Sequence, residues 1–255
     1  MTQAKQEGGA RVLVIKRIHE EGHDIRAFDM TPEGVAGQAS GEGPTHTSSG
    51  VGLGAHGVAF APGQVAVLRF GDEPPSYFAI ASAPEDDELE FLIKRSAGGP
   101  GRLVYEMRVG DRVELREIVG RGFDLAAHAG RDLVFVAMGT GVAPLRSALR
   151  HALAHPNEYG RIFVLYGART PDQFCYRRDI EEWKRAGVGM RQVVSKPDGY
   201  EWSGPTGYVQ SLLDNVLPDL SNPVALVCGS REMIGQTRER LQQMGFAPED
   251  ILTNY

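Results

Sequence analysis

Between Arg11 and about Leu125 the apolar positions come in short bursts over strand lengths, alternating with polar ones or clustered. Arg11 to Arg17, His23 to Met30, Val65 to Phe70, Tyr77 to Ser82, Leu89 to Lys94 and Arg112 to Glu117 all read as strands. Pro62-Gly63 and Pro74-Pro75 punctuate them. Many short strands with turn residues between them predict a small barrel. From Gly34 to Gly57 the chain is rich in Gly, Ser and Thr, with too little apolar surface to offset the entropy of ordering it. It is expected to be a mobile loop inserted in the barrel; a phosphate-cradling role for its backbone amides stays open.

After Asp132 the rhythm changes. Asp132 to Met138 and Arg161 to Tyr166 are continuous apolar runs, each followed by a helical pattern, Pro144 to His155 and Pro171 to Ala186. Val188 to Val194, Tyr208 to Asn215, Pro223 to Cys228 and Arg231 to Met244 continue the alternation. Doubly buried strands alternating with helices predict a parallel, doubly wound α/β sheet. The boundary is expected near Ala126 to Gly130. That gives a polar, disordered lead (1–10), a barrel domain (11–127) and an α/β domain (128–255).

A chain of 255 residues suits two domains. Its net charge of -6 offers no electrostatic reason to bind nucleic acid or an anionic membrane. No apolar stretch approaches the length of a membrane span. Met1 to Ala10 lacks the apolar core of a signal peptide. With only Cys175 and Cys228, a disulfide framework is not expected, and a reducing cytoplasm-like or stroma-like compartment is. Two cysteines also cannot supply the four thiolates of an iron–sulfur cluster.

The best local signal for chemistry is Gly139-Thr140-Gly141-Val142-Ala143-Pro144, which follows an apolar strand and opens a helix. Glycines allow close backbone approach, the free amides of a helix start favour a phosphate, and Pro144 suits a first turn. A tight turn that binds nothing has the same pattern, and the run is not the usual G-x-G-x-x-G fingerprint. Val227-Cys228-Gly229-Ser230 ends a later strand, and ligands of open α/β sheets sit beyond such carboxyl ends. Cys228 there is either a small buried residue or a wall for a bound nicotinamide. His19-Glu20-Glu21-Gly22-His23 matches H-E-x-x-H, but strands flank it and Gly22 is a poor helix former, so a polar hairpin turn is expected. His46, His56, His128, His151 and His155 show no ligand spacing, and no metal site is expected.

Taken together, Pro62-Gly63-Gln64, Gly139 to Pro144, Tyr166-Gly167-Ala168-Arg169 and Cys228-Gly229 resemble the ferredoxin–NADP reductase superfamily, in the right order from Arg11 to Tyr255. Gly120-Arg121-Gly122-Phe123-Asp124 and Trp202 to Gln210 are similar to the plant fruit-protein-like reductases and their bacterial relatives. The resemblance implies an N-terminal antiparallel barrel holding FAD and a C-terminal domain holding NAD(P)H. Hydride would pass from nicotinamide to flavin, and electrons would leave to a separate acceptor, such as an electron-acceptor protein.

By the same resemblance Gly139, Thr140, Gly141 and Pro144 cradle the nucleotide, Cys228 and Gly229 flank the nicotinamide, and Arg169 lies near the adenosine half. Ser195 and Lys196 fall where some members hold a 2′-phosphate, beside Tyr208 and Gln210. The flavin would be met by the run Phe78, Ala79, Ile80, Ala81 and Ser82, by Gly101, Arg102, Leu103 and Val104, and by Tyr255 as an aromatic lid. This chain departs from the family there. Ser76 replaces an arginine, Phe78 a tyrosine and Ala79 a serine, Val104 stands for a phosphate-binding hydroxyl, and Thr253 for a glutamate. Those departures keep open an alternative, a degenerate nucleotide-binding or regulatory module that keeps the fold without transferring hydride.

Overall fold

The computed structural model describes residues 11–34, 52–53, 57–217 and 220–254. The expected disordered lead, most of the Gly/Ser-rich insertion and Tyr255 lie outside the described residues.

The first half forms a six-stranded antiparallel sheet from β1 (Arg11–Gly22), β2 (Ile25–Pro32), β5 (Val65–Arg69), β6 (Ser76–Ala79), β7 (Leu89–Lys94) and β8 (Arg112–Val119). Two-residue strands β3 (Gly52–Leu53) and β4 (Ala59–Phe60) pair with each other. The order in the large sheet is β6-β5-β8-β1-β2-β7. A bridge between Ile80, just past β6, and Phe91 of β7 brings its two edges together into a barrel. Leu13, Ile15, Phe28, Met30, Leu68, Ile80 and Phe91 fill the interior with no exposed surface, as period-two alternation on one face requires.

Helix α1 (Pro100–Glu106) was not expected, because its seven residues bury only Val104 and no amphipathic period can show over so short a run. The H-E-x-x-H segment is a hairpin, but one in which His19 to Gly22 still belong to β1 and only His23 and Asp24 turn. Asp24 carries the required positive φ of 56°.

The second half is a five-stranded parallel sheet in the order β11-β10-β9-β12-β13. Its strands are β9 (Leu133–Met138), β10 (Ile162–Ala168), β11 (Gly189–Val194), β12 (Val224–Cys228) and β13 (Ile251–Leu252). Helices α2 (Val142–Ala154), α3 (Arg177–Arg185) and α4 (Arg231–Gln243) connect and flank them. The expected helix from Pro171 is broken: a 3-10 turn at Pro171–Gln173 precedes Tyr176, whose φ of 58° starts α3 late. The helix expected from Tyr208 to Asn215 is present as a 3-10 helix, Val209–Asn215.

The chain leaves β9 toward β10 and β11, then returns to the other side of β9 for β12 and β13. Between β9 and β12 the direction of winding reverses, which opens a crevice at the strands' carboxyl ends. The halves share one apolar cluster: Ile25, Ala27, Ala81 and Leu92 of the barrel pack with Leu133, Val142, Ala143 and Leu145 of the α/β half. Among the described residues no helix is long and apolar enough to cross a membrane.

Candidate active-site cleft between the two halves

The crevice is a cleft of about 800 Å³. One wall comes from the turns after β9 and β12. Gly139–Gly141 form a 3-10 turn that runs into α2, with Gly139 at φ 56°. A Cβ on Gly141 would stand 2.6 Å from the Cys228 carbonyl oxygen, so only glycine lets the two turns meet. Gly229 is closed in likewise by the end of the Met233 side chain and by Met138. Ser230 caps α4 by accepting from the Met233 amide at 3.2 Å.

Behind this wall sits Tyr166, fully buried in β10. Its hydroxyl donates to the Gly139 carbonyl oxygen at 3.1 Å and accepts from the Cys175 amide at 3.2 Å. Burial raises its pKa well above the usual phenol range, so it stays a neutral donor. The carboxyl ends of β10 and β11 are tied by Ser195 N to Ala168 O at 3.0 Å and Lys196 N to Arg169 O at 2.8 Å. That pairing sets Arg169, Ser195 and Lys196 side by side at the cleft's polar end, near Tyr208 and Gln210. Gln210 Oε1 is buried there without a partner, an acceptor in want of a donor.

The other end is walled by the barrel through Ala79, Lys94 and Ile25. Asn254 joins the halves: its amide nitrogen donates to Gly63 O at 3.2 Å, and the Cys228 thiol points at its Oδ1 from 3.7 Å. Burial pushes the Cys228 thiol up to about 12, so it is neutral near pH 7.

The cleft therefore assembles Gly139, Thr140, Gly141, Pro144, Arg169, Ser195, Lys196, Tyr208, Gln210, Cys228, Gly229 and Ala79 from the residues read in the sequence. Among the described residues it does not assemble the others. Phe78 lies edge-on to Phe70, 5.6 Å between centroids. Ile80 and Ala81 are buried, and the Ser82 hydroxyl, also buried, accepts from the Glu90 amide at 3.0 Å. Gly101, Arg102 and Leu103 sit on α1, where Arg102 pairs with Glu106 at 3.3 Å. The Val104 side chain, which replaces the family's phosphate-binding hydroxyl, is wholly inside the barrel core. Asn254, Lys94, Met138 and Gln236 line the cleft without having been singled out. Asn254 bonds to a residue 191 positions away, a relation no local pattern carries.

The model for the oxidoreductase NAD-binding domain matches residues 135–239, the stretch that supplies the turns after β9 and β12. Ferredoxin–NADP reductase B of Sorangium cellulosum is 31% identical over 178 residues, covering 66% of this chain and 72% of its own. The chain belongs to the ferredoxin–NADP reductase superfamily. Within the superfamily, fruit protein pKIWI502 of Actinidia deliciosa is 29% identical over 208 residues, 75% of this chain. This chain spans 65% of that protein, just under two thirds. The solved ferredoxin NADP+ reductase of Neisseria gonorrhoeae, with bound FAD and NADP, superposes with a TM-score of 0.75 at 18% identity. It covers 97% of this chain and 98% of its own, so the same fold runs the length of both.

Proposed function

We propose that this chain is an NAD(P)H-dependent flavin oxidoreductase that passes electrons to a separate acceptor. The observation that carries the reading is one cleft lined by both halves, with an anion-receptive turn on one side and barrel residues on the other. In it Gly139, Thr140, Gly141 and Pro144 hold the dinucleotide backbone. Arg169, Ser195, Lys196, Tyr208 and Gln210 take the adenosine half, and the orphaned Gln210 Oε1 accepts from the ligand. Cys228, a neutral thiol steered by Asn254, and Gly229 form the wall against which the nicotinamide lies.

The barrel residues fit a flat ring but give thin support to a diphosphate. Ala79 and Lys94 line the cleft from the barrel, and Arg102 sits on α1 outside that lining. Phe78 to Ser82 and Gly101 to Val104 would contribute backbone and shape, with Tyr255 as the expected lid. FAD, when bound, supplies the two-electron acceptor for hydride and the route to a one-electron partner. The protein's share is to bind, orient and exclude water. The functional units are residues 11–127 and 128–255.

The visible spectrum of the purified protein tests this. Flavin bands that bleach on adding NADH or NADPH are expected. A colourless protein that FAD cannot reconstitute would overturn the enzyme reading and leave the non-catalytic nucleotide-binding module. For the dinucleotide side, Gly141→Ala should push the two turns apart and weaken NAD(P)H binding at least about tenfold, roughly 1.4 kcal/mol. Unchanged affinity in a folded variant, measured by fluorescence titration, would remove the turn from the site.

A further inference from the structure

Helix α2 meets the barrel through a row of side chains on one face. Arg146 reaches the Ala81 carbonyl oxygen at 3.0 Å and Glu90 at 3.1 Å. Arg150 grips both oxygens of Asp86 at 2.9 and 2.6 Å. The last rung differs from these. His151 Nδ1 lies 2.6 Å from Glu85 Oε1, but Glu85 Oε2 is buried with no partner. One turn on, His155 brings its ring to 4.3 Å from that of His151. The nearby Tyr159 hydroxyl, which feels the Glu85 charge, is likewise buried without a partner.

His155 Nδ1 sits 2.8 Å from the His151 carbonyl oxygen. A carbonyl only accepts, so Nδ1 carries the proton and Nε2 is the ring's lone-pair nitrogen. A backbone carbonyl holding the far ring nitrogen is the usual way a ligating imidazole is oriented. Glu85, His151 and His155 each offer one ligand atom, all within 4.8 Å of one another. A tetrahedral ion with bonds of about 2.0–2.1 Å needs such atoms roughly 3.3 Å apart, within reach of side-chain rotation.

We propose that Glu85, His151 and His155 form a site for a divalent transition-metal ion between the two halves of the molecule. Two imidazoles and one carboxylate are the ligand set of zinc, with water in the fourth position. His151 also lines a second cavity of about 760 Å³, beside Phe123 and Asp124, which gives the ion and its water a way in from solvent. Neither histidine lines the nucleotide cleft, so the ion's work is to staple the barrel to α2. Glu85 comes from the barrel side, past β6, and both histidines from the α/β side, so neither half alone completes the set.

The test is calorimetric titration of zinc chloride into the chelator-treated full chain, beside Glu85→Gln and His155→Ala, each checked for folding by its melting curve. One ion per chain is expected, with micromolar or tighter affinity that excess magnesium does not reduce. Each substitution should weaken it at least about tenfold. Zinc should raise the melting temperature of the parent protein and not that of His155→Ala, and cobalt(II) should give tetrahedral visible bands that His155→Ala abolishes. No saturable binding, or affinity equal to the parent's in both folded variants, would overturn the site.

Discussion

Tyr166 shows how a single hydroxyl can hold the turn after β9. It bridges the Gly139 carbonyl and the Cys175 amide from beneath the cleft. Tyr166→Phe strands both groups, which should cost roughly 1–3 kcal/mol in a urea melt and loosen nucleotide binding severalfold. Asp250 supports a prediction about pH. Its hydrogen bond from Arg131, 2.5 Å long, holds the carboxyl below the usual carboxylate range. A depressed folded-state value means that this stabilisation is complete above the ordinary carboxylate pKa. It is lost as pH falls through the lowered one. Asp250→Asn should therefore lower the melting temperature near neutral pH and flatten its decline below about pH 4. Neither role was legible in the sequence. Tyr166 read as the end of an apolar strand and the start of a motif, neither of which names the groups its hydroxyl bridges, and the partner of Asp250 lies 119 positions away. Gly139 to Pro144 were legible because turn chemistry is local: glycine, then proline, between a strand and a helix.

Among the elements, α2 does most to unite the molecule. Arg146 is encircled by Glu90, by Asp179 at 2.5 Å and by the Tyr176 ring 4.4 Å from its guanidinium carbon. Burial works against its charge, but these neighbours outweigh that and raise its pKa. Glu90 is pushed up by burial, against the pull of Arg146. Arg146→Met leaves these acids buried without their cation and should cost roughly 3–5 kcal/mol by chemical denaturation. The helix itself was readable from its period, Pro144 to His155 expected against Val142–Ala154 found. The late start of α3 was not. Tyr176 takes its left-handed conformation where its amide donates to Glu21 of the barrel hairpin at 2.5 Å, a tertiary contact that overrides helical propensity. Likewise β13 is two residues long and has its identity only from pairing with β12.

For the whole molecule, the order of the two halves and their sheet types followed from where the apolar period changes, near residue 130. What the pattern could not carry is how the halves join. The apolar cluster that spans Ile25, Ala81 and Leu92 on one side and Leu133, Ala143 and Leu145 on the other makes a shared interior rather than a wet seam. One cooperative melting transition should follow, with tryptophan fluorescence and far-ultraviolet dichroism coincident; two separated transitions would show the halves to be independent. The row of ion pairs along α2 carries a kinetic consequence. A seam bolted at Arg146 and Arg150 resists clamshell opening, so under the proposed function a dinucleotide should leave along the cleft without the halves parting. Tethering the barrel to α2 by a chemical cross-link should leave its off-rate where it was.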